Sequence, residues 1–338
     1  MNKENIKYSF HLFTSLLSRH LKVLLTNAIR LFYTLMVPVI LLVVYFIFLR
    51  GLEVSTVENE LLRRGIDTTS SNILPLINGV VDSWMLSGVV CLSSITIALQ
   101  ICSLIVEDKV NKVVRDFVSS PINQNILYLS YFAFLFVITF TLSLIVLLVS
   151  FICLAILGEF TFTFSTILLT LAILIFTSIF SCLTALFVSS LVKTEPVLAS
   201  ISTIVSTAAG FLIGAYMPLG LLPIGVQYFC AFIPWTYSCA LLRYTFLTAP
   251  FNNVFNFISD PKNITLPQGM NEEEINRLLT DNFSYKIKFF GISFEPWHSA
   301  LILLGFIIIF IFLCKITTKH ILESENIKVR KKKHNASI

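Results

Sequence analysis

The residues that could carry chemistry are few and scattered. None of the 12 glycines is followed by lysine, so the chain lacks the G-x-x-x-x-G-K-[ST] loop that cradles nucleotide phosphates. It also lacks the H-E-x-x-H and G-x-S-x-G arrangements. The five histidines are interpreted as solvated or interfacial residues: His11, His20, His298, His320 and His334. We therefore predict that the chain is not an enzyme by itself and holds no metal or cofactor.

The most informative charged segment begins Glu107-Asp108-Lys109 and runs to about residue 125. Helical spacing predicts an apolar face of Val110, Val113, Val114 and Phe117. The opposite face carries Lys109, Lys112, Arg115 and Asp116, and Pro121 is expected to end the helix. Such a helix, continuous with a membrane span, could be pushed by a soluble motor. A solvated helix extension explains the same pattern equally well.

The composition requires a membrane environment. Of the 338 residues, 56% are hydrophobic and only 13% are charged, whereas soluble domains carry about 25% charged residues. Apolar runs of about 20 residues match the thickness of a bilayer core. We therefore predict an all-α polytopic membrane protein with six transmembrane helices. The predicted spans are residues 31–49, 84–106, 126–157, 165–192, 197–217 and 297–314.

Two further elements are predicted from apolar patterns that do not suit a simple crossing. Residues 5–28 place one apolar stripe on a basic helix, which is typical of a helix lying in the membrane interface. An amphipathic helix packed on protein is the alternative. Residues 221–248 are apolar but contain Pro223, Pro234 and Arg243, which favours a broken or re-entrant element.

The seven cysteines all lie in apolar segments, where cysteine behaves as a small hydrophobe. No pair has C-x-x-C spacing, so the sequence indicates neither a disulfide framework nor a metal site. The alternative is a Cys230–Cys239 disulfide, if that region faces outward.

The distribution of positive charge predicts the orientation. With the N-terminus inside, 16 of the 24 Lys and Arg residues lie on the cytoplasmic side. Both termini are therefore expected to be cytoplasmic. The predicted segments are an N-terminal interfacial helix (1–30), five spans (31–217) with an external loop (50–83) and a cytoplasmic coupling segment (107–125), re-entrant extracellular helices (218–248), an extracellular loop (249–296), a sixth span (297–317) and a basic cytoplasmic tail (318–338).

Two motifs resemble the permeases of type-2 ATP-binding-cassette (ABC-2) transporters. Glu107 and Ser120-Pro121-Ile122-Asn123 are similar to the family's loop after the second span. Asp108 stands where a basic residue is common, and Asn111-Lys112 where Gly-Thr is common. The second motif carries Gly214, Pro218, Pro223, Pro234, Tyr237 and Arg243, and resembles the family's re-entrant extracellular helices.

The resemblance implies partners and a coupling site. Two cytoplasmic ABC ATPase subunits would carry ATP and magnesium and would drive two permease subunits, identical or homologous. The expected ATPase-coupling residues are Glu107, Lys109, Lys112, Val113, Arg115, Phe117 and Pro121. Gly210 and Gly214 form a G-x-x-x-G that permits close helix approach; it would serve either the permease–permease contact or packing within one subunit. Membrane lipid is an expected partner, and nucleic acid is not.

The expected function is export of an amphipathic or hydrophobic substrate, such as a drug, an antimicrobial peptide or a lipid-like molecule, across a bacterial plasma membrane. The spans carry almost no ionisable residues, which argues against a proton or sodium relay. The segments 50–83 and 249–295 could form a small external cap. The alternatives are an intramembrane lipid-modifying enzyme or protease, and a membrane immunity or receptor protein without transport.

Overall fold

The structure is a computed structural model that describes residues 3–63, 73–119, 123–259, 280–283, 285, 287–289 and 292–335. Within these residues the chain is almost entirely helical. The helices are α1 (Lys3–Leu25), α2 (Ala28–Val44), α3 (Arg50–Arg63), α4 (Leu74–Ile101), α5 (Ser103–Val110), α6 (Val113–Ser119), α7 (Gln124–Leu157), α8 (Phe164–Leu191), α9 (Glu195–Leu212), α10 (Ile224–Ala231), α11 (Pro234–Ile258) and α12 (Pro296–Asn335).

Six helices of the described residues are long and apolar enough to cross a membrane. They are Ala28–Arg63, Leu74–Val110, Gln124–Leu157, Phe164–Leu191, Glu195–Leu212 and Pro296–Thr317. The prediction of a polytopic α-helical membrane protein with six spans is thus confirmed. A two-stranded antiparallel hairpin, β1 (Ile287–Phe289) with β2 (Ile292–Phe294), adds a small amount of sheet within the predicted 249–296 loop.

The helix α4 is the centre of the bundle. Within the most apolar 18-residue stretch of this span, 89% of the residues are buried. The corresponding fraction is 17% in the first, fifth and sixth spans. It packs against α2, α7, α8, α9 and α11. A helix surrounded by other helices has no lipid-facing side, so small residues such as Gly88 fit where neighbouring backbone comes close: a Cβ at Gly88 would lie 3.0 Å from the Cα of Ala215.

The predicted loop 50–83 is largely helical, and its boundaries need correction. The first span continues through a π-helical turn (Tyr45–Leu49) into α3, and α4 begins at Leu74, ten residues before the predicted start at Trp84. Because Leu74–Val81 is mostly apolar, one acidic residue, Asp82, does not end the helix.

Other boundaries also differ from the predictions. The fifth span ends at Leu212, not at 217, and a 3₁₀ turn (Leu219–Leu221) leads into α10 and α11. The helix α12 extends through the predicted tail to Asn335. The broken character of 221–248 is reproduced as two helices, with Pro234 in the first turn of α11.

The N-terminal helix α1 packs on α7. Leu16, His20 and Leu24 are buried on one face; of the predicted apolar stripe, Leu24 is thus buried, while Phe10 is exposed. The face that contacts protein is therefore offset from the face predicted from the apolar spacing.

Candidate functional site

The acidic pair Glu107–Asp108 joins the end of α5 to the N-terminal region. Arg19 of α1 donates two hydrogen bonds to Asp108, at 2.7 and 2.8 Å. The Tyr131 hydroxyl of α7 donates a third at 2.7 Å. Asp108 is 4% exposed, so its charge is stabilised by a planar two-point contact and a phenol rather than by water. Three separate elements therefore meet at one carboxylate.

A second ion pair lies beside the first and is closer to the surface. Arg30, in the first turn of α2, donates to Glu107 at 2.8 Å, and both side chains are partly exposed. Glu107 was predicted to contact an ATPase, yet its carboxylate is engaged within the chain. Its position therefore fixes α5 relative to α2.

His20 is buried next to Asp108, not solvated or interfacial as predicted. Its ring stacks on Tyr131 with centroids 4.2 Å apart, and its Nε2 lies 3.3 Å from the hydroxyl of Ser130. Burial, and then the nearby Arg19 charge, lower the pKa of His20 to about 4, with Asp108 acting in the opposite direction. The imidazole is therefore neutral at physiological pH and packs as an aromatic ring. We name His20, Arg19, Asp108, Ser130 and Tyr131 the Asp108 cluster.

The predicted coupling helix is broken in the middle. The helix α5 ends at Val110, and Lys112 has a φ of 65°, a left-handed conformation that bends the chain before α6. Lys109, predicted on the charged face of the coupling helix, is directed into the protein: its Nζ donates to the carbonyl oxygens of Ser189 at 2.5 Å and Ser190 at 3.3 Å. These carbonyls belong to the last turn of α8, where a cation is favourable.

The part of this segment that stays exposed is the turn between α5 and α6 and the adjoining side of α6. Val110, Asn111, Lys112 and Asp116 are exposed there. Val113 is partly buried, and so is Phe117, whose ring lies under the Arg19 guanidinium at 5.6 Å. Pro121 lies outside the described residues, and so does the side chain of Arg115. We name the exposed residues 110–112 and 116 the coupling turn.

A long groove of about 990 Å³ begins near this end and runs between α2 and α9 over α4. One wall carries the hydroxyls of Ser202, Thr203, Ser206 and Thr207, and the other carries Tyr33 and Val37. Hydroxyl groups spaced along one face of an otherwise apolar helix make that helix amphipathic.

Gly210 and Gly214 lie at the other end of α9, and both contact other residues of the same chain. A Cβ at Gly210 would lie 2.1 Å from the ring of Tyr216. Gly214 has a φ of 72° and ends the helix in the left-handed conformation that glycine adopts easily. Both glycines therefore lie against groups of the same chain, and the role in a permease–permease contact stays a prediction.

Arg243 is buried under this turn. It is 1% exposed, its Nη2 donates to the carbonyl oxygen of Gly214 at 2.5 Å, and its guanidinium lies 5.7 Å from the ring centroid of Trp84. Tyr237 donates to the carbonyl oxygen of Ala231 at 2.7 Å, which ties α11 to α10. Pro218 and Pro223 precede the 3₁₀ turn and α10.

The sequence model of a family described as ABC-2 family transporter protein matches residues 66–314. The chain belongs to this family. An ABC-2 permease is the transmembrane component of an ABC transporter, it has no nucleotide-binding domain, and the family partners with ABC ATPase subunits. Comparison with curated proteins gives no match.

In this ABC-2 permease the predicted site residues fall into three groups. Glu107, Lys109 and Phe117 hold the end of α4–α5 to α1, α2 and α8, while Lys112 belongs to the coupling turn. Gly210, Gly214 and Arg243 meet around the end of α9, about Tyr216 and Trp84. Asp108, for which no site role was predicted, is the group that binds Arg19.

Sequence reasoning missed a buried ionic group in the permease. Asp82 is completely buried and bound by Arg50 and Tyr45, so the second span does carry a charge. The prediction that 50–83 is a polar loop placed Arg50 and Asp82 outside the spans, while Tyr45 fell near the end of the predicted first span. The apolar run Leu74–Val81 before Asp82 is the signal that could have placed the acid inside a helix. The seven cysteines are all free, including Cys230 and Cys239.

Proposed function

We propose that this permease exports an amphipathic or hydrophobic substrate, using ATP hydrolysed by separate ATPase subunits. The observation that carries the proposal is the position of the coupling turn. It lies at the end of α4–α5, and α4 packs on α2, α7, α8, α9 and α11. A displacement of the turn would therefore reach the whole bundle through the span Leu74–Val110.

The Asp108 cluster and the Glu107–Arg30 pair support this assignment because they make the turn rigid with respect to α1 and α2. An ATPase that displaced only a flexible loop would not displace the spans. Here α1, α2, α5 and α7 would move together. Magnesium and ATP would be bound by the ATPase, and none of the residues of this chain is assigned to them.

The groove between α2 and α9 is proposed as one wall of the transport path. It is open along its length, so a second permease, identical or homologous, would complete it and thereby create a closed route. Hydroxyls on one wall and aliphatic and aromatic groups on the other suit a substrate with a polar and an apolar part. Drugs, antimicrobial peptides and lipid-like molecules share this character.

The same proposal includes the placement of the remaining elements. The coupling turn and both termini would be cytoplasmic, α10 and α11 would form the re-entrant extracellular element, and α1 would lie in the membrane interface. The exposed Tyr8 and Phe10 of α1 supply apolar groups for that interface.

Purification of the tagged chain from its native membranes is expected to recover an ABC ATPase, which mass spectrometry and ATP hydrolysis would identify. Phe117→Asp should reduce the recovered ATPase about tenfold, which corresponds to about 1.4 kcal/mol of binding. The new carboxylate would disturb the surface next to the coupling turn. The matched control is Phe232→Asp, since Phe232 is exposed and follows α10. Normal recovery with Phe117→Asp would contradict the coupling assignment.

The orientation can be tested by labelling a cysteine introduced at Lys112. We expect Lys112→Cys to react with a membrane-impermeant thiol reagent only after the cells are opened, because the coupling turn would face the cytoplasm. Six of the seven native cysteines are buried, and Cys153 is partly buried, so the parent protein serves as the background control. Labelling in intact cells would place the turn outside and refute the proposed mechanism.

A further inference from the structure

A second ionic group lies at the end of the bundle opposite the Asp108 cluster. Asp82 and Asp108 are separated by 26 residues along α4 and α5, or about 39 Å at 1.5 Å per residue. Tyr45 and Arg50 come from the first span, Asp82 comes from α4, and Glu159 comes from the turn between α7 and α8. We name these four residues the Asp82 cluster. No function described above uses it.

Asp82 accepts nearly all the hydrogen bonds that are donated within this cluster. The Tyr45 hydroxyl donates to its Oδ1 at 2.5 Å. The Arg50 Nε donates to the same oxygen at 2.9 Å, and the Arg50 Nη2 donates to Oδ2 at 2.7 Å. With 0% of the Asp82 side chain exposed, this single carboxylate already balances the charge of Arg50.

Glu159 is left with an incomplete set of partners. Its Oε1 lies 3.7 Å from the Arg50 Nη2, and its side chain is 13% exposed. Its Oε2 is buried without a hydrogen-bond donor in the described part of the chain. The side chain lies over Gly79, whose Cβ would be 3.7 Å from the Glu159 Cγ. An ionised Glu159 would add an uncompensated negative charge beside Asp82, which is costly in a buried site.

We propose that Glu159 holds one proton at neutral pH and donates it in a hydrogen bond to Asp82, so that the two carboxyl groups form a proton-binding site. The proton comes from water and converts the Glu159 carboxylate to the acid without any other change in bonding. One proton gives the cluster a net charge of zero, with Arg50 positive and Asp82 negative. The bound proton thereby ties the α7–α8 turn to α4 and to the first span.

The groups around Glu159 are consistent with this site. Burial, and then the hydrogen bond with Asp82 and its charge, raise the pKa of Glu159 to about 8, while Arg50 opposes the shift. Glu159 lies in a turn between two spans. The other titratable groups close to the pair are the Tyr45 phenol of the first span and the Cys153 thiol of α7, which senses the Asp82 charge.

The sign of the pH effect follows from proton linkage. An ordinary glutamate has a pKa of 4.5, and the folded value is about 8. Between these values the folded protein binds one more proton than the unfolded protein, so stability falls as the pH rises through this interval. Above about pH 8 Glu159 is ionised in both the folded and the unfolded protein, so it causes no further change in stability. The full benefit of the bound proton is present below pH 4.5.

The test compares the full-length chain with its Glu159→Gln variant in detergent. Glutamine keeps a donor for Asp82 but cannot ionise. Between about pH 5 and pH 8 the wild-type unfolding equilibrium constant should rise relative to the variant by up to about tenfold per pH unit. The control is Glu195→Gln, since Glu195 is exposed at the start of α9, and its profile should follow the wild type. Parallel profiles for wild type and Glu159→Gln would overturn the proposal.

A second measurement does not need any variant to fold. Infrared spectroscopy of the wild-type chain should show the C=O stretching band of a buried carboxylic acid at about pH 6, and this band should lose intensity as the pH passes about 8. If no carboxylic acid band titrates in that range, Glu159 is not protonated and the site does not exist. Neither measurement requires an ATPase or a transported substrate, so the proton site and the proposed export function are tested independently.

Discussion

Replacing Asp108 with alanine is expected to lower the free energy of unfolding by about 2–4 kcal/mol. Breaking one partner of a buried ion pair costs about 3–5 kcal/mol, because the other partner stays behind without compensation. The lower end applies here because the Arg19 side chain is 32% exposed and can partly reach water. The loss of the Tyr131 hydrogen bond adds to the cost, since its hydroxyl would remain in a buried site.

The neighbouring acid provides the control for this experiment. Glu107→Ala removes the same charge one residue earlier, but its pair with Arg30 is partly exposed on both sides, and such pairs contribute about 0–1 kcal/mol. Unfolding of both variants in detergent by heat or by a denaturing detergent would measure the difference. Equal losses for the two acids would show that Asp108 is not the residue that joins α1, α5 and α7.

The two acids also explain how far the sequence could predict this region. The end of an apolar run at Val106 predicted the end of a span to within four residues, whereas the single helix predicted from the charges that follow is broken between α5 and α6. The roles of Glu107, Asp108 and Lys109 were not predictable, because Arg30, Arg19 and the carbonyls of Ser189 and Ser190 come from distant parts of the chain. A local helical pattern distinguishes apolar from charged positions, but it does not show which charges find partners inside the fold.

Asp82 illustrates the same limit at the other end of the bundle. A single carboxylate is a reasonable marker of a membrane boundary, because an unpaired charge in lipid is unfavourable. The structure supplies Arg50 and Tyr45 from the preceding helix, so the boundary lies about ten residues earlier than predicted. Six spans were predictable because apolar length is a property of each segment alone, whereas buried ion pairs depend on how the segments pack.

Gly210 and Gly214 show a third case. Their spacing predicted a site of close approach, and close approach is what the structure contains. The contacting group is Tyr216, only two residues beyond Gly214. It reaches Gly210 because the left-handed conformation of Gly214 turns the chain back. The motif therefore predicted the tight packing but could not identify its partner.

The second large effect on the free energy of unfolding is expected for Gly214→Ala, in the turn that follows α9. A left-handed conformation costs a non-glycine residue about 1–2 kcal/mol. The added Cβ would also lie 2.7 Å from the Leu219 Cγ and 3.1 Å from the Arg243 Nη2. Moving Arg243 away would remove its hydrogen bond to the Gly214 carbonyl and leave a buried guanidinium with fewer partners. We expect a total loss of about 3–5 kcal/mol in the free energy of unfolding.

Gly158→Ala separates the backbone part of this loss from the steric part. Gly158 ends α7 with a φ of 77°, close to the 72° of Gly214, but nothing lies within 4 Å of its Cβ position. Its variant should therefore lose only about 1–2 kcal/mol. Unfolding in detergent measures both values, and the difference between them is the contribution of Leu219 and Arg243. If Gly158→Ala and Gly214→Ala are equally destabilised, Arg243 does not depend on the Gly214 turn, and the structural link between α9 and α11 must come from other contacts.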